Sequence, residues 1–299
     1  RKGRALRIVA CKSSPVAVKK QEDDEDPDDI IRRNLFPPVT TEAVDEDGVP
    51  LSSYPVIDKC KPNGPEFIAL KKAFPGLSIG TYVRFLVARK GNVELASKML
   101  TNHLNWRKEN LPIPSNKIDA VLKCLDTGIC IPYGRAKDGS PIMVFRGAFY
   151  DKKIASPEDY ALAFAYAIEE TLRNTGELSI TVLANARAFD GAPNAPAELA
   201  FVKKLISTLS DNFPERLKKT VLFPMPWYAR VMKSAVSMFM DPRSMSKIIF
   251  SGHDANHRAP EVEKCIDWEQ LPEIVGGTNT RLLPSMGYKL RRQLAKKKQ

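Results

Sequence analysis

The chain has 299 residues, 43% of them hydrophobic, which suffices for one domain of about 200–250 residues plus tails. No uninterrupted apolar run approaches the roughly 18–20 residues of a membrane span, so any membrane contact is expected to be peripheral. The net charge of +11 gathers at the ends, with seven basic side chains in residues 1–20, six in 289–298 and seven carboxylates between Glu22 and Asp29, leaving the middle at +5. That balance argues against a nucleic-acid groove, which needs a concentrated basic stripe with interleaved aromatics. The five cysteines form no CxxC pair, which fits free thiols in a reducing compartment and no metal site.

Residues 1–62 read as a charged linker with turn-formers such as Pro37-Pro38 and Asp47-Gly48 and no sustained periodicity. The stretch around Ile8-Val9-Ala10-Cys11 resembles the surroundings of a chloroplast transit-peptide cleavage site, so a chloroplast location is expected, with the cytoplasm as the other choice. Residues 63–127 read as a helical subdomain. Helical spacing recurs over Ile79–Ala88, again after the N-cap Asn92, and in a shorter stretch near 116–126. His103 falls on an apolar helix side, where packing is its expected role.

From 128 to 288 strands alternate with helices. Ile142–Phe145, Ser179–Leu183, Thr220–Phe223 and Lys247–Phe250 have strand character. Ser156-Pro157-Glu158-Asp159 is a strong start for a helix that stops at Gly176, and a further helix runs from about Ala197 to Asn212. Crossovers of this length imply a largely parallel sheet. Residues 289–299 form a basic tail, for which a solvated segment and an anionic lipid surface are both open readings.

Residues 226–240 stand out. Pro226 opens a helix on which Trp227, Tyr228, Val231, Met232, Met238, Phe239 and Met240 spread round most of the circumference, broken mainly by Arg230 and Lys233. A helix apolar nearly all round is either buried in a core or covers something greasy. Nothing in the sequence supplies a further outer layer, so a lid over an apolar cavity is expected, its methionines adapting to variable chains.

Catalytic signatures are missing: the sequence has no GxSxG elbow, glycine-rich phosphate loop, GxGxxG fingerprint or HExxH pair. His253 and His257 flank Asp254 in a loop with no evident third ligand, so neither catalysis nor a metal is assigned to them. The positive candidates are phosphate binders. Arg89-Lys90 closes a helix, where the helix dipole alone also favours cations. Ser244 lies one helical turn before Lys247, and Glu215 follows a helix end, where it either meets sugar hydroxyls or pairs with Lys218 or Lys219.

These residues fall into a pattern. Phe85-Leu86-Val87-Ala88-Arg89-Lys90, Leu95-Ala96…Met99-Leu100…Trp106-Arg107-Lys108, Phe213-Pro214-Glu215-Arg216-Leu217, Met240-Asp241-Pro242…Ser246-Lys247-Ile248 and Leu271-Pro272-Glu273…Gly276-Gly277 resemble, in order and spacing, the CRAL-TRIO lipid-binding family over about residues 65–280. The branch they are most similar to is that of the yeast-type phosphatidylinositol/phosphatidylcholine transfer proteins. The resemblance implies a helical N-terminal bundle packed on an α/β domain (α+β overall), with a mixed, mainly parallel sheet as floor of a lipid cavity closed by a gate helix. It implies headgroup binding by Arg89, Lys90, Glu215, Ser244 and Lys247, with serine keeping the hydroxyl of the branch's threonine. Arg offers phosphate a planar fork and Lys a point charge. A second-ligand site would hold Ser179, Thr181 and Met143, but Met143 replaces a tyrosine and Ala184 an acid. That makes phosphatidylcholine doubtful and an isoprenoid or phosphatidic acid credible.

The expectation is therefore a non-enzymatic monomer with a lipid ligand and no other cofactor. It would carry phosphatidylinositol or another anionic phospholipid between membranes. Gate residues Trp227, Tyr228, Val231 and Phe239 would enter the bilayer interface, while Arg230 and Lys233 meet anionic headgroups. A carrier of an apolar small molecule such as a carotenoid or tocopherol, and a lipid-gated adaptor, are the competing readings.

Overall fold

The computed structural model describes residues 60–185, 198–224, 237, 242–252, 259–281 and 286–296. The charged segment up to residue 59, the gate stretch with Trp227, Tyr228, Arg230, Val231, Lys233 and Phe239, and the pair His253/His257 lie outside the described residues.

Three helices open the fold: α1 (Pro65–Ala73), α2 (Ile79–Ala88) and α3 (Val93–Asn110). Ser78 and Asn92 cap α2 and α3 by accepting from the backbone N–H three residues on, at 3.2 and 2.9 Å. Such caps satisfy donors the first turn leaves orphaned. The apolar stripes of these helices close on one another, burying Phe67, Leu70, Tyr82, Phe85, Leu86 and Leu100 in a core of their own. The short helix expected to complete this bundle, α4 (Ile118–Asp126), belongs elsewhere. Its Val121, Cys124 and Leu125 enter the core around the long helix α5 (Pro157–Thr175). Burial pushes the Cys124 and Cys130 thiols up to about 12, so both are inert fillers of that core.

Five strands form one sheet in the order β1 (Cys130–Arg135), β2 (Pro141–Arg146), β3 (Ile180–Asn185), β4 (Leu217–Phe223), β5 (Ile248–Phe250). Strands β2 to β5 run parallel and β1 is antiparallel at the edge. The mixed, mainly parallel sheet on which the sequence reading rested is present. β1 was not anticipated, because Pro132 and Gly134 break its strand character. An edge position tolerates proline, whose missing donor costs no ladder bond.

A strand order that follows the chain has a topological consequence. Right-handed crossovers stepping always in one direction place every connecting helix on the same face. On that face lie α5 and α6 (Leu199–Asn212), packed on Cys130, Met143, Phe145, Ile180 and Val182. Ser156 caps α5 by accepting from Asp159 N at 3.2 Å, and left-handed Gly176 (φ 70°) ends it. The opposite face, with Ile131, Ile142, Val144, Leu183, Val221 and Phe223, is sealed by residues 259–281. These include α8 (Pro260–Glu263), which follows the short α7 (Pro242–Ser246), and the side chains of Trp268, Leu271 and Val275.

The segment expected as a basic tail is partly a docked helix, α9 (Met286–Lys296). Met286 and Leu290 are buried in the core around α5. Lys289 and Gln293 meet Glu170 at 3.4 and 2.9 Å, and Arg291 grips Asp126 with both guanidinium branches. Periodicity was there to be read, since 286, 290 and 294 share a face, but the charge run masked it.

Candidate functional site

The corner Phe213-Pro214-Glu215-Arg216 joins α6 to β4. Phe213 is buried and meets the Trp106 ring of α3 edge-on at 6.0 Å between centroids. The Pro214 carbonyl accepts from Arg84 Nη1 of α2 at 3.1 Å. Arg216 donates to Leu178 O at 2.8 Å, and its own carbonyl accepts from Ile180 N at the start of β3. Glu215 Oε2 lies 3.2 Å from Lys247 Nζ, which also donates to Leu217 O at 2.9 Å. Glu215 thus pairs with Lys247, not with Lys218 or Lys219 as its place in the sequence suggested. The Lys247 backbone N–H reaches Ser244 O at 3.2 Å, so Ser244 stands one turn away.

The geometry therefore brings Glu215, Ser244 and Lys247 together. Arg89 and Lys90, the other half of the expected headgroup set, lie at the end of α2. Arg89 lines a cleft of about 470 Å³ with Lys98, Met99 and Trp106 of α3 and Asp211 and Asn212 at the end of α6. Lys90 beside it is exposed. Both halves carry backbone strain. Among the described residues, the non-glycine residues with positive φ are Asn63 (66°), Lys90 (53°) and Glu215 (57°). Asparagine tolerates this region, whereas other side chains lose about 1 kcal/mol or more there. Two residues proposed to hold a headgroup thus occupy positions, just past helix ends, where glycine would be cheaper.

Next to this corner, one half of the sheet floor is less sealed than the rest. Register places Met143, Val182, Thr220 and Ile248 in one row and Phe145, Ala184, Leu222 and Phe250 in the next, both on the face of α5 and α6. Met143 is fully buried, but Thr220, Leu222, Ile248 and Phe250 are only half-buried. On the opposite face Leu183 and Val221 have no exposure at all. The half-open floor lies under the two strands that the gate stretch connects.

The expected second-ligand set does not assemble. Register pairs Thr181 with Ile142, whereas Met143 pairs with Val182, so Thr181 and Met143 point to opposite faces. The Thr181 hydroxyl is fully buried and shares a 2.7 Å hydrogen bond with Ser140 Oγ. Ser179 is half-buried just ahead of β3. Among the described residues, no group of three or more His, Cys, Asp or Glu gathers at metal-binding distance.

A scan of family models matches residues 125–277 to the CRAL/TRIO domain. The chain belongs to the CRAL/TRIO domain family. Among relatives, the phosphatidylinositol transfer protein PDR17 of Saccharomyces cerevisiae is 26% identical over 200 residues, covering 62% of this chain and 55% of the yeast protein. Patellin-3 of Arabidopsis thaliana is 27% identical over 208 residues, 65% of this chain and 42% of Patellin-3. The chain thus spans about half the length of these relatives. Among solved structures, that of Sfh5 superposes with a TM-score of 0.53 at 14% identity, over 79% of this chain and 99% of Sfh5, a likeness of fold. The CRAL/TRIO match starts within α4, which agrees with that helix packing on the α/β core and not on the bundle.

Behind Arg89 and Lys90 lie two buried groups: Arg84, which no motif singled out, and His103, packed on an apolar helix side as expected. Arg84 is 6% exposed and His103 4%. A charged residue inside the apolar run Tyr82–Val87 was the available signal for the first. His103 lies between the rings of Phe85 and Trp106, at 5.1 and 6.4 Å. Burial, then the charges of Arg84 and Arg107, lower its pKa to about 4, against a smaller opposing pull from an Asn212 hydrogen bond. A depressed histidine pKa means that the unfolded chain takes up a proton the folded protein refuses. Stability is complete above about pH 6.5 and falls by up to about 3 kcal/mol as pH drops to about 4. His103→Phe, which suits the ring stack, is expected to flatten the dependence of urea midpoints on pH in that window. An unaltered slope would show that the loss arises elsewhere.

Proposed function

We propose that the protein binds one anionic membrane phospholipid, phosphatidylinositol first among them, and transfers or presents it between membranes without breaking a bond. The observation that carries this reading is the Glu215–Lys247 pair, 3.2 Å apart, standing with strained Glu215 beside a half-buried apolar floor. Lys247 and Arg89 would hold the phosphodiester and Glu215 would accept from inositol hydroxyls. The name of the yeast relative, a phosphatidylinositol transfer protein, supports the choice of ligand.

The acyl chains would lie over Thr220, Leu222, Ile248 and Phe250, under residues 226–240 acting as gate. Burying each methylene gains roughly 0.8 kcal/mol, but a bilayer offers the same burial. Transfer is therefore governed by gate opening and headgroup contacts. Among the described residues no helix is long and apolar enough to cross a membrane, so contact with the bilayer would be at its surface. The basic residues from 289 to 298 would add attraction to an anionic lipid surface. The chloroplast location rests on residues 1–20, outside those described.

A second reading has one observation in its favour. With Thr181 turned to Ser140 and Met143 sealed in the core, neither member of the expected second-ligand pair is offered to a choline headgroup on the half-open floor. An apolar second ligand, such as an isoprenoid, carotenoid or tocopherol, suits it better than phosphatidylcholine. Extraction of the protein purified from its native source, with mass spectrometry and an absorption spectrum, separates the two. A phosphatidylinositol mass is expected; a pigment band or a prenyl lipid with no phospholipid would replace the first reading by the second.

A further inference from the structure

Arg84 is an anomaly of the helical subdomain. The residue is 6% exposed, and among the described residues no carboxylate lies within ion-pair reach. The acids in its neighbourhood are engaged, Glu169 with Arg107 at 2.6 Å and Glu215 with Lys247 at 3.2 Å. Its Nη1 donates to Pro214 O at 3.1 Å and its Nη2 reaches Thr81 Oγ1 at 3.5 Å, while its buried Nε has no hydrogen-bond partner. Arg216 and Arg107 are close enough to add repulsion to the burial that disfavours its charge. A buried cation so poorly compensated costs stability, and an apolar side chain of similar length would be the easier filling.

What Arg84 holds explains its place. The carbonyl of Pro214 and the amide of Glu215 share one rigid peptide plane. The φ of Glu215 is the turn of that residue relative to the plane, and it sits at +57°. Arg84 thus anchors the plane from which the Glu215 φ is measured, while Arg216 N, donating to Phe213 O at 3.2 Å, anchors the far side of that residue. The clamp itself stands on α2, five residues before Arg89 on the same stiff helix, whose end carries left-handed Lys90. One guanidinium thus ties the helix that ends at Arg89 and Lys90 to the corner that carries Glu215.

We infer that Arg84 is a positioning residue for headgroup selectivity, locking the two halves of the site at the separation a phosphoinositol group requires without touching the lipid. This rests on the headgroup reading given under Proposed function. The test uses phosphatidylcholine vesicles carrying phosphatidylinositol with a fluorescent acyl chain, and matched vesicles carrying the same chain on diacylglycerol. Arg84→Met is expected to weaken phosphatidylinositol loading about tenfold, the worth of one misplaced charge-assisted bond, with diacylglycerol loading unchanged. Arg84→Lys, which keeps the charge and loses the planar fork, is expected to behave alike.

Denaturation supplies a lipid-free readout. If the clamp holds a left-handed backbone, Arg84→Met should disturb stability less in a Glu215→Gly background, where that conformation is unstrained. Equal loss of both lipids, or additive stability effects, would make Arg84 an ordinary structural residue and overturn the inference. Glu215→Gln separates the two levels. If it lowers phosphatidylinositol loading while Arg84→Met does not, the Arg84 inference alone falls. If neither does, the headgroup reading falls with it.

Discussion

Replacing Arg89 and Lys247 together by alanine is expected to reduce phosphatidylinositol transfer at least about a hundredfold while leaving a folded protein. Each cation would make a charge-assisted contact with the phosphate, and such bonds are worth about 1.5–3 kcal/mol each. Loss of both exceeds the roughly 2.7 kcal/mol that a hundredfold change represents. The fold should tolerate the change. Arg89 donates to the adjoining Ala88 carbonyl, a contact within its own turn. Lys247 gives up Glu215 and Leu217 O, yet the Glu215 side chain keeps 18% exposure, so water can take over part of its hydration. Uptake of diacylglycerol from the same vesicles should persist, since the floor is untouched. Transfer unchanged from wild type would remove these residues from ligand binding.

The largest loss of stability is expected at Gly277. A Cβ there would land on the Leu271 carbonyl, which is backbone and already accepts from Asn279 N at 3.1 Å. That oxygen cannot withdraw without breaking the loop. Asn279 in turn accepts from the fully buried Tyr133 hydroxyl at 2.8 Å, and Gly277 N donates to Pro272 O at 3.1 Å. Gly277→Ala should therefore cost more than about 4 kcal/mol or prevent folding, seen as lost soluble yield or a collapsed thermal transition. Gly252→Ala is the control, because no atom of the described residues lies within 4 Å of its added Cβ. It should stay within about 0.5 kcal/mol of wild type. Equal behaviour of the two variants would mean that the loop at 271–279 is looser than its hydrogen bonds imply.

What could be read from the chain follows from which signals are local. Helices α2, α3, α5 and α6 announced themselves through caps and apolar spacing, and the parallel strands through short apolar runs between them. Edge strand β1 did not, because Pro132 and Gly134 carry the local signature of a turn and only the neighbouring strand makes them a ladder. The docking of α9 was hidden by its charges, whose partners Asp126 and Glu170 lie more than a hundred residues away. Within the site, Glu215, Ser244 and Lys247 were singled out by motif. The pairing of Glu215 with Lys247 over Lys218 or Lys219 is a matter of strand register, which no local pattern states. Thr181 was misplaced for the same reason, since the register of β2 on β3 sets it beside Ile142 and turns it away from Met143. Arg84 escaped notice because its importance lies in a carbonyl 130 positions further on.

The outermost strand, β5, is three residues long. Its ladder to β4 is brief, with Thr220 N and Ser251 N as flanking donors to Lys247 O and Leu222 O. So short a margin presents few unpaired amides and carbonyls to a second molecule. The end of the sheet where greasy cargo would enter is thereby a poor template for aggregation. Were the protein to exchange lipid there as proposed, so short a rim would still leave little edge for neighbours to zip onto.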